Sequence, residues 1–276
     1  MISIPCAVAN EYFRRQISFF EFQHLKVYGN DAKNKAIIPI VKRNNKQETI
    51  QTNVDWGLKL PYKMVDSVLD IYDLKSDIYI PTNVFTAARE IIQDLPDNEV
   101  VEIIDADLVH LKKYDGYIPK FDEVVADGIY NDWHLHITKP TSHNNGVIKK
   151  YLKHSYYNYM NGGFNVIARV KTLRKIINEI IETSIEIGTE QNGNNHSWWQ
   201  AMYGLNIACH NNKIKMVDAK NCYYPNVNNL QNRHHIAHYS CDPIFDKRNM
   251  GQIDVSKFPN NEFYKSAKEW LETASF

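Results

Sequence analysis

The sequence predicts a single-domain α/β protein, and three observations carry this prediction. Apolar runs of strand length alternate with segments whose apolar residues recur at helical spacing, a pattern typical of a sheet covered by helices. The chain has 276 residues, of which 43% are hydrophobic, so it can enclose a sizeable core. No stretch rich in Pro, Gly and Ser divides it. We therefore expect one continuous domain.

The chain opens with a strand, a helix and a second strand. Residues 2–9 form an apolar run that ends at Asn10, and residues 36–41 form another. Between them, residues 11–28 carry large apolar side chains at helical spacing: Phe13, Ile17, Phe20 and Leu25. The polar residues 42–53 then predict a loop.

The middle of the chain repeats the alternation. Residues 83–95 are predicted to be a helix, which the turn residues 96–98 end. Residues 99–104 are predicted to be a buried strand that ends in Asp105-Ala106-Asp107. A loop to Glu123 should follow, and then strands over residues 133–137 and 164–169.

Helices dominate the last part of the chain. Residues 171–187 have the strongest helical pattern, and a second helix is predicted over residues 197–210. A short helix is expected within residues 260–273. We accordingly divide the chain into a main domain over residues 1–259 and a helical tail over residues 260–276.

Composition excludes several classes of protein. The 32 basic and 32 acidic residues balance, which argues against nucleic-acid binding through phosphate neutralisation. No run approaches the roughly 18 apolar residues that span a bilayer, and the N-terminus lacks a signal-peptide pattern. The four cysteines form no C-x-x-C pair, so we expect a cytoplasmic protein. Its abundant Asn points to an AT-rich viral or bacterial genome.

Asp105 and Asp107 are the residues most suggestive of chemistry. Side chains at i and i+2 of a strand point to the same side, and ligands of open α/β sheets bind where strands end. Carboxylate oxygens suit Mn²⁺ or Mg²⁺, which would keep positions for phosphate oxygens of a nucleotide. The alternative is a solvated turn, and the spacing alone does not separate the two.

Further segments give a resemblance to a known family. The run 99–108 resembles the D-x-D segment of GT-A nucleotide-sugar glycosyltransferases. Residues 197–203, 237–239 and 245–248 are similar to motifs of the hydroxyproline O-arabinosyltransferase and peptidyl-serine galactosyltransferase group. The resemblance covers roughly residues 83–248. It implies a GT-A type, Rossmann-like fold with a mixed, mostly parallel central sheet flanked by helices.

The resemblance also implies a site and its cofactors. Asp105, Asp107 and His238 would bind Mn²⁺ or Mg²⁺, and the donor would be a UDP-sugar used on a glycan or glycoprotein acceptor. The donor site would include cations for the diphosphate and residues beside the first strand, namely Lys247, Arg248, Ala7, Asn10 and Arg89. The alternatives are a solvated Lys247-Arg248 pair and, for the histidines 234, 235 and 238, surface or hydrogen-bonding roles.

The sugar itself should meet two other segments. Gly162 and Gly163 allow the backbone to approach a bound sugar, and Trp198 could stack on its ring. An ordinary turn and a core Trp are the alternatives. Polar contacts and catalysis are assigned to Asn195, His196 and Gln200. No carboxylate lies among residues 195–200, which favours retention of configuration, with Asp132, His134 or His196 as bases for inversion.

Three other functions stay open at this stage. A metal-dependent hydrolase or phosphotransferase could use the same Asp pair, and would need further carboxylates nearby. His134 and His136 have a spacing that can bind zinc, although no third ligand is evident. A non-catalytic carbohydrate-binding protein of the same fold would bind glycans independently of Mn²⁺ and UDP.

Overall fold

The computed structural model describes residues 1–42, 56–74, 81–126, 150–153, 165–190, 200–218, 222–223, 225, 230–239 and 242–274. The strands are β1 (Ile2–Val8), β2 (Ile38–Lys42), β3 (Tyr62–Asp66), β4 (Val100–Asp105), β5 (Leu108–His110), β6 (Glu123–Ala126), β7 (Asn165–Arg169), β8 (Lys215–Asp218), β9 (Cys222–Tyr223) and β10 (Ile236–His238). The α-helices are α1 (Glu11–Tyr28), α2 (Val68–Ile71), α3 (Asn83–Ile92), α4 (Val170–Glu190), α5 (Gln200–Asn211) and α6 (Glu262–Thr273).

A seven-stranded mixed sheet forms the centre, in the order β3-β2-β1-β4-β7-β6-β8. Strands β3, β2, β1 and β4 pair in parallel, and β7 is antiparallel to both β4 and β6. Strand β8 is parallel to β6. All strands of this sheet except β7 therefore end at the same edge, where ligands of open α/β sheets bind.

A small second sheet covers one face of the central sheet. Its order is β5-β10-β9, and β10 is antiparallel to β5. Strand β5 begins three residues after the end of β4, so the chain passes from one sheet into the other through the Asp105–Asp107 turn. Helices α1 and α6 pack on the same side, where Phe19 contacts the rings of Phe263 and Trp270.

Helices α3, α4 and α5 cover the opposite face with an aliphatic core. Phe85, Leu173 and Leu205, one from each helix, belong to a cluster with the β4 residues Val101 and Ile103. Gly204 lets α5 approach α4 closely, because a Cβ at this position would lie 2.5 Å from the carbonyl oxygen of Ile180.

Most of the long predicted elements are confirmed. The first strand and helix, the strand ending at the Asp pair, and the long helix beginning near residue 170 lie where the sequence pattern places them. The loop predicted up to Glu123 is wrong in part, because β5 occupies Leu108–His110. Three residues are too few for an alternating pattern, and pairing with β10 determines that strand.

Other predictions lie outside the described residues, including the strand over 133–137, the loop over 43–53 and the start of the helix at 197–199. The C-terminal helix is confirmed as α6. The division of the chain at residue 259 stays a prediction. Among the described residues, no helix is both long enough and apolar enough to cross a membrane.

Candidate functional site

The candidate site lies where β4 ends at the ligand-binding edge of the central sheet. Asp105 is the last residue of β4 and pairs in register with Cys6 of β1. Asp107 follows two residues later, immediately before β5. The sequence pattern placed both carboxylates where a buried strand leaves the sheet, and the structure agrees.

Asp107 is the centre of the group and is only 4% exposed. One of its carboxylate oxygens, Oδ2, accepts a hydrogen bond from the ammonium of Lys247 in a partly buried ion pair. The other, Oδ1, lies 3.3 Å from Nε2 of His238. The Asp107 carbonyl accepts a hydrogen bond from the amide of Tyr239 at 3.2 Å. The C-terminal part of the chain thus surrounds this residue.

Pairing of β5 with β10 explains why His238 reaches Asp107. The two strands are antiparallel, with His238 opposite Leu108. Because Asp107 precedes Leu108, it lies beside the end of β10. Two residues that are 131 positions apart in sequence are thereby brought into contact.

The charges around Asp107 stabilise its ionised form. Burial opposes ionisation, but His238 and Lys247 outweigh it and hold the pKa of Asp107 well below its usual range. The pKa of Lys247 is correspondingly raised: burial disfavours its charge, and Asp107 more than compensates. Lys247 is therefore a fixed cation at the sheet edge.

Asp105 shows the opposite effect. Burial and the neighbouring Asp107 raise its pKa to about 6, although His238 and Lys247 act in the other direction. A second negative charge beside Asp107 is thus unfavourable without an additional cation. The pair would attract a divalent ion or a positively charged ligand group.

The residues present fit part of a metal shell. Asp107 Oδ1 is buried and lies 3.3 Å from the imidazole Nε2 of His238. Carboxylate oxygen and imidazole nitrogen are both ligands for Mn²⁺. The described part of the chain contains no complete group of three His, Cys, Asp or Glu side chains arranged to hold a metal. A bound ligand would have to supply further donor atoms.

Asn165 lies at the same edge and was missed in the sequence. It opens β7 opposite Ile104, one residue before Asp105, and is 2% exposed. Neither polar atom of its side chain has a hydrogen-bond partner among the described residues. An amide buried in this way is costly unless a ligand pairs with it. The sequence signal that could have identified Asn165 is its position as a polar residue at the start of an otherwise apolar strand.

Gln200 also lies near this edge. It is fully buried at the start of α5, and its Nε2 donates to Thr82 Oγ1 at 3.1 Å. Asn83, which follows Thr82 in sequence, accepts a hydrogen bond from the thiol of Cys6 through its backbone carbonyl. Since Cys6 pairs with Asp105, these contacts connect Gln200 to the Asp105 side of the sheet.

The first strand and helix supply an aromatic side chain that the sequence reasoning did not single out. Tyr12 is 37% exposed, and the Lys247 ammonium lies 5.9 Å from the centre of its ring. Asn10 caps α1 by accepting a hydrogen bond from the Phe13 amide at 3.0 Å. Ala7 is buried in the core of β1, so only its backbone could meet a ligand.

The two predicted arginines are placed differently. Arg248 is exposed and adjoins Lys247, and its amide donates to Asp246. Arg89 lies in the last turn of α3, where its guanidinium donates to Tyr72 and Asn178. These contacts do not connect Arg89 to the Asp107 group.

The remaining predicted residues lie outside the described part of the chain: Gly162, Gly163, Asn195, His196, Trp198, and the proposed bases Asp132 and His134, with the zinc candidate His136. The hydrogen-bonding alternative for two histidines is correct. His234 Nδ1 accepts from the Gln231 amide, and His235 bonds to Glu102.

Two solved structures of a galactosyltransferase, LgtC, share this fold. One, in complex with donor and acceptor sugar analogs, matches with a TM-score of 0.55 and 11% identity over 100% of this chain and 97% of the other. The second is an active-site variant of LgtC in which a Gln is replaced by Glu. It matches with a TM-score of 0.56 and 10% identity over 99% of this chain and 96% of the other.

At this level of identity the likeness establishes the fold alone. The chain has the GT-A fold, with the mixed, mostly parallel central sheet that the sequence predicted. No family model matches the sequence, and no curated protein matches it significantly.

Proposed function

We propose that this protein is a glycosyltransferase that moves a sugar from a UDP-sugar to a glycan or protein acceptor. The observation that carries the proposal is the Asp107 group, in which two carboxylates, an imidazole and a partly buried ammonium meet at the ligand-binding edge of a GT-A fold. One structural neighbour, a galactosyltransferase, was solved with donor and acceptor sugar analogs, which supports sugar transfer as the function.

Asp105, Asp107 and His238 would hold Mn²⁺ or Mg²⁺ together with the diphosphate of the donor. When bound, the metal would supply positive charge against the phosphate oxygens. Lys247 would add a second, fixed cation for the negative charge that develops on the departing nucleoside diphosphate. The exposed Arg248, which adjoins Lys247, would also stabilise the negative charge of the departing diphosphate.

The polar residues at the edge that carry no charge are assigned to the donor. Tyr12 would stack on the base, beside Asn10 and the backbone of Ala7. Asn165 and Gln200 would bind the sugar, since both carry buried amides on the Asp105 side. LgtC also has a Gln in its active site. We keep Asn195, His196, Trp198, Gly162, Gly163 and Arg89 as further candidates.

We propose retention of configuration at the transferred sugar. Inversion requires a general base beside the acceptor hydroxyl. The side-chain amides of Asn165 and Gln200 are neutral and cannot act as a general base. Product analysis by the anomeric proton coupling in NMR spectra tests this assignment, and an inverted product would refute it.

The charge pattern favours this function over a metal-dependent hydrolase. A hydrolase or phosphotransferase with two metals would need more carboxylates near Asp105 and Asp107. Besides burial, the groups that shift the pKa of Asp107 are His238 and Lys247, and among the described residues no third carboxylate is a cause of the shift at either Asp. The narrower resemblance to the arabinosyltransferase group stays a prediction, and the proposal does not depend on it.

Thermal unfolding in the presence of nucleotides is the first test. We expect UDP or a UDP-sugar to raise the melting temperature only when Mn²⁺ is present, because a ligand of the folded state stabilises it by mass action. Asp107→Ala should abolish the shift and the release of UDP from UDP-sugars. Loss of metal-dependent binding is expected because the buried oxygen facing His238 is removed.

Asp94→Ala is the matched control. Asp94 is also paired with a lysine, Lys63, but at an exposed position, so its loss should leave the UDP response unchanged. A folded Asp107→Ala protein with the wild-type response would refute the proposed site. Glycan binding that ignores both Mn²⁺ and UDP would identify a carbohydrate-binding protein instead.

A further inference from the structure

A second buried polar group, separate from Asp107, lies in the middle of β4. Glu102 is completely buried and points toward the small sheet. Its Oε2 is 2.8 Å from His110 Nε2 and accepts from Ser3 Oγ at 2.9 Å, and its Oε1 is 2.9 Å from His235 Nε2. One carboxylate thus joins the central sheet to both β5 and the segment that enters β10.

The hydrogen bonds continue into helix α1. His110 Nδ1 lies 3.2 Å from His24 Nδ1, and His24 Nε2 lies 3.3 Å from the carbonyl oxygen of Ala32. The three imidazoles are at most 1% exposed. We call Ser3, His24, Glu102, His110 and His235 the Glu102 network.

Counting protons shows that this network needs one more than its groups ordinarily supply. The Ser3 hydroxyl carries its own proton and lies 2.9 Å from Glu102 Oε2 and 3.3 Å from His110 Nε2. The other four contacts require one proton each: Glu102 with His235, Glu102 with His110, His110 with His24, and His24 with Ala32. An ionised glutamate and three neutral imidazoles provide only three such protons. Without a fourth, one contact would place two acceptors against each other in a buried site.

The surroundings indicate that the glutamate is the negative member. Burial opposes its ionisation, but the charge and hydrogen bonds of His110 and His235 outweigh this and hold the pKa of Glu102 well below its usual range. Burial and His110 lower the pKa of His24 to about 3. Other titratable groups around the network are Tyr28 on α1, Tyr114 and Asp115 after β5, and His234.

The network lies directly behind the candidate site. His110 is three residues after Asp107 on one side of the β5–β10 pair, and His235 is three residues before His238 on the other. The amide of Leu111 also donates to the His235 carbonyl at 2.7 Å. The relative position of β5 and β10 sets the distance between Asp107 and His238.

We propose that the Glu102 network positions Asp107 against His238, and that it does so only while it holds its fourth proton. The assignment of that pair to donor binding rests on the proposed function; the proton count does not. Glu102, His110, His235 and His24 are thus positioning residues that touch neither substrate nor metal.

The proposal fixes the direction of a pH dependence. Above about pH 6.5 an unfolded chain carries these histidines neutral and Glu102 ionised. The folded network then holds one proton more than the unfolded chain. Stability therefore falls as pH rises, and the unfolding equilibrium constant grows about tenfold per pH unit until the network loses that proton.

Two substitutions remove the need for the fourth proton in different ways. In Glu102→Gln, the amide nitrogen donates to His110, which donates to His24, which donates to Ala32, while the amide oxygen accepts from His235. All four contacts are then made with neutral imidazoles. In His24→Phe, the series of hydrogen bonds ends at His110, so the contacts with His24 no longer need protons. The Ala32 carbonyl still accepts a hydrogen bond from the Lys35 amide.

Glu21→Gln is the matched control. Glu21 is also a buried carboxylate that accepts hydrogen bonds, but from the backbone amides of Lys59 and Leu60 and, within the described part of the chain, from no histidine. The Glu21→Gln protein should keep the wild-type pH dependence of stability.

The experiment compares wild type and the three variants between pH 6 and 9 by urea unfolding, with imidazole nitrogen NMR and amide exchange of Val109 and Ala237. We expect one doubly protonated network imidazole in wild type and none in Glu102→Gln or His24→Phe. Those two variants should lose the tenfold change per pH unit. The protection factors of the two amides, which correct for the base-catalysed intrinsic exchange rate, should fall with pH only in wild type and the control. Retention of the wild-type slope by both variants would overturn the proposal.

UDP affinity in the presence of Mn²⁺ is measured in parallel on the same proteins. It should decline with pH in wild type and stay level in Glu102→Gln. If wild type binds no UDP at any pH, the proposed function fails, and amide exchange still decides whether the network positions the two strands. If UDP affinity of Glu102→Gln declines as in wild type, the positioning role is overturned.

Discussion

Asp105 and Asp107 are two residues apart and have opposite pKa shifts. Asp107 is held ionised by an ammonium and an imidazole, whereas Asp105 is partly buried beside a carboxylate that is already charged. The local structure thus stores electrostatic repulsion at the point where the site would receive a cation. Such destabilising arrangements are typical of binding sites.

Replacing Asp105 by Asn should stabilise the metal-free protein near neutral pH. The folded-state pKa of Asp105, about 6, lies above the unfolded value of 3.8, so the folded protein binds more protons between these values and loses stability as pH rises through them. We expect a gain of about 2 kcal/mol at pH 7.5 and almost none at pH 4. Urea unfolding with EDTA at both pH values measures it.

The decisive result is whether Asp105→Asn stabilises the protein more at pH 7.5 than at pH 4. Equal effects of Asp105→Asn at pH 4 and pH 7.5 would mean that the Asp105 carboxylate is not destabilised by its neighbours. The same variant should lose the stabilisation by UDP with Mn²⁺, since an amide is a weaker ligand for a hard cation.

Asn165→Leu should separate stability from binding in a similar way. The Leu side chain has a similar size and removes two buried polar atoms that have no partner among the described residues. We expect the unliganded protein to gain about 1 kcal/mol, because an unsatisfied buried group costs about 1–3 kcal/mol. Sugar transfer should fall strongly while UDP binding persists, since the proposed contact is with the sugar.

Urea unfolding and turnover on the same preparation test this pair of effects. A destabilised Asn165→Leu protein would indicate that the amide is paired in the unliganded state. Unchanged turnover would remove Asn165 from the sugar site.

Sequence reasoning singled out residues that lie together in the structure where a short pattern marked them. Asp105-Ala106-Asp107 is visible as a pattern, and the resemblance added His238 and Lys247, which the structure brings to Asp107. Asn165 and Tyr12 went unrecognised, because a single Asn or Tyr has no distinguishing pattern and its burial or exposure depends on the fold.

At the level of elements, helix α1 combines a structural and a proposed binding role at its N-terminus. The Asn10 side chain accepts a hydrogen bond from the Phe13 amide, and the residue lies at the end of β1 where the donor is expected. Gly29, with φ of +59°, ends the helix at the other side, in a conformation that favours Gly.

Two substitutions at Asn10 distinguish these roles. Asn10→Ser should keep the stability of the protein to within a few tenths of a kcal/mol, because Ser is an equivalent N-cap, whereas Asn10→Ala should cost about 1 kcal/mol. If the amide also contacts the donor, both variants should lose UDP affinity. Calorimetry of UDP binding beside thermal unfolding shows whether affinity follows the cap or the amide.

The elements that sequence reasoning missed are short. Strands β5, β9 and β10 have two or three residues, α2, β6 and β8 have four, and β3 has five, so their sequences carry little or no periodic signal. Their existence depends on neighbours in space: β10 is fixed by β5 on one side and β9 on the other. Long elements such as α1 and α4 contain their own periodic signal and were predicted.

For the whole molecule, the sequence predicted the class of fold but not the arrangement that makes the site. A mixed, mostly parallel sheet was expected, and the structure has it. The passage of the chain from β4 into a second sheet, and the return of β10 beside β5, depend on contacts between distant segments. Periodicity within a window of residues does not contain that information.

The distance in sequence between Asp107 and its partners also determines when the site can form during synthesis. Asp107 is paired with Lys247, 140 residues later, and its carbonyl with the Tyr239 amide. A nascent chain that has emerged only as far as α4 contains β1, β4 and both aspartates, but neither the imidazole nor the ammonium that holds Asp107 ionised. A ribosome must therefore synthesise the chain through Lys247 before the charges at this edge are balanced, so the candidate site cannot form until long after β1 and β4 have emerged.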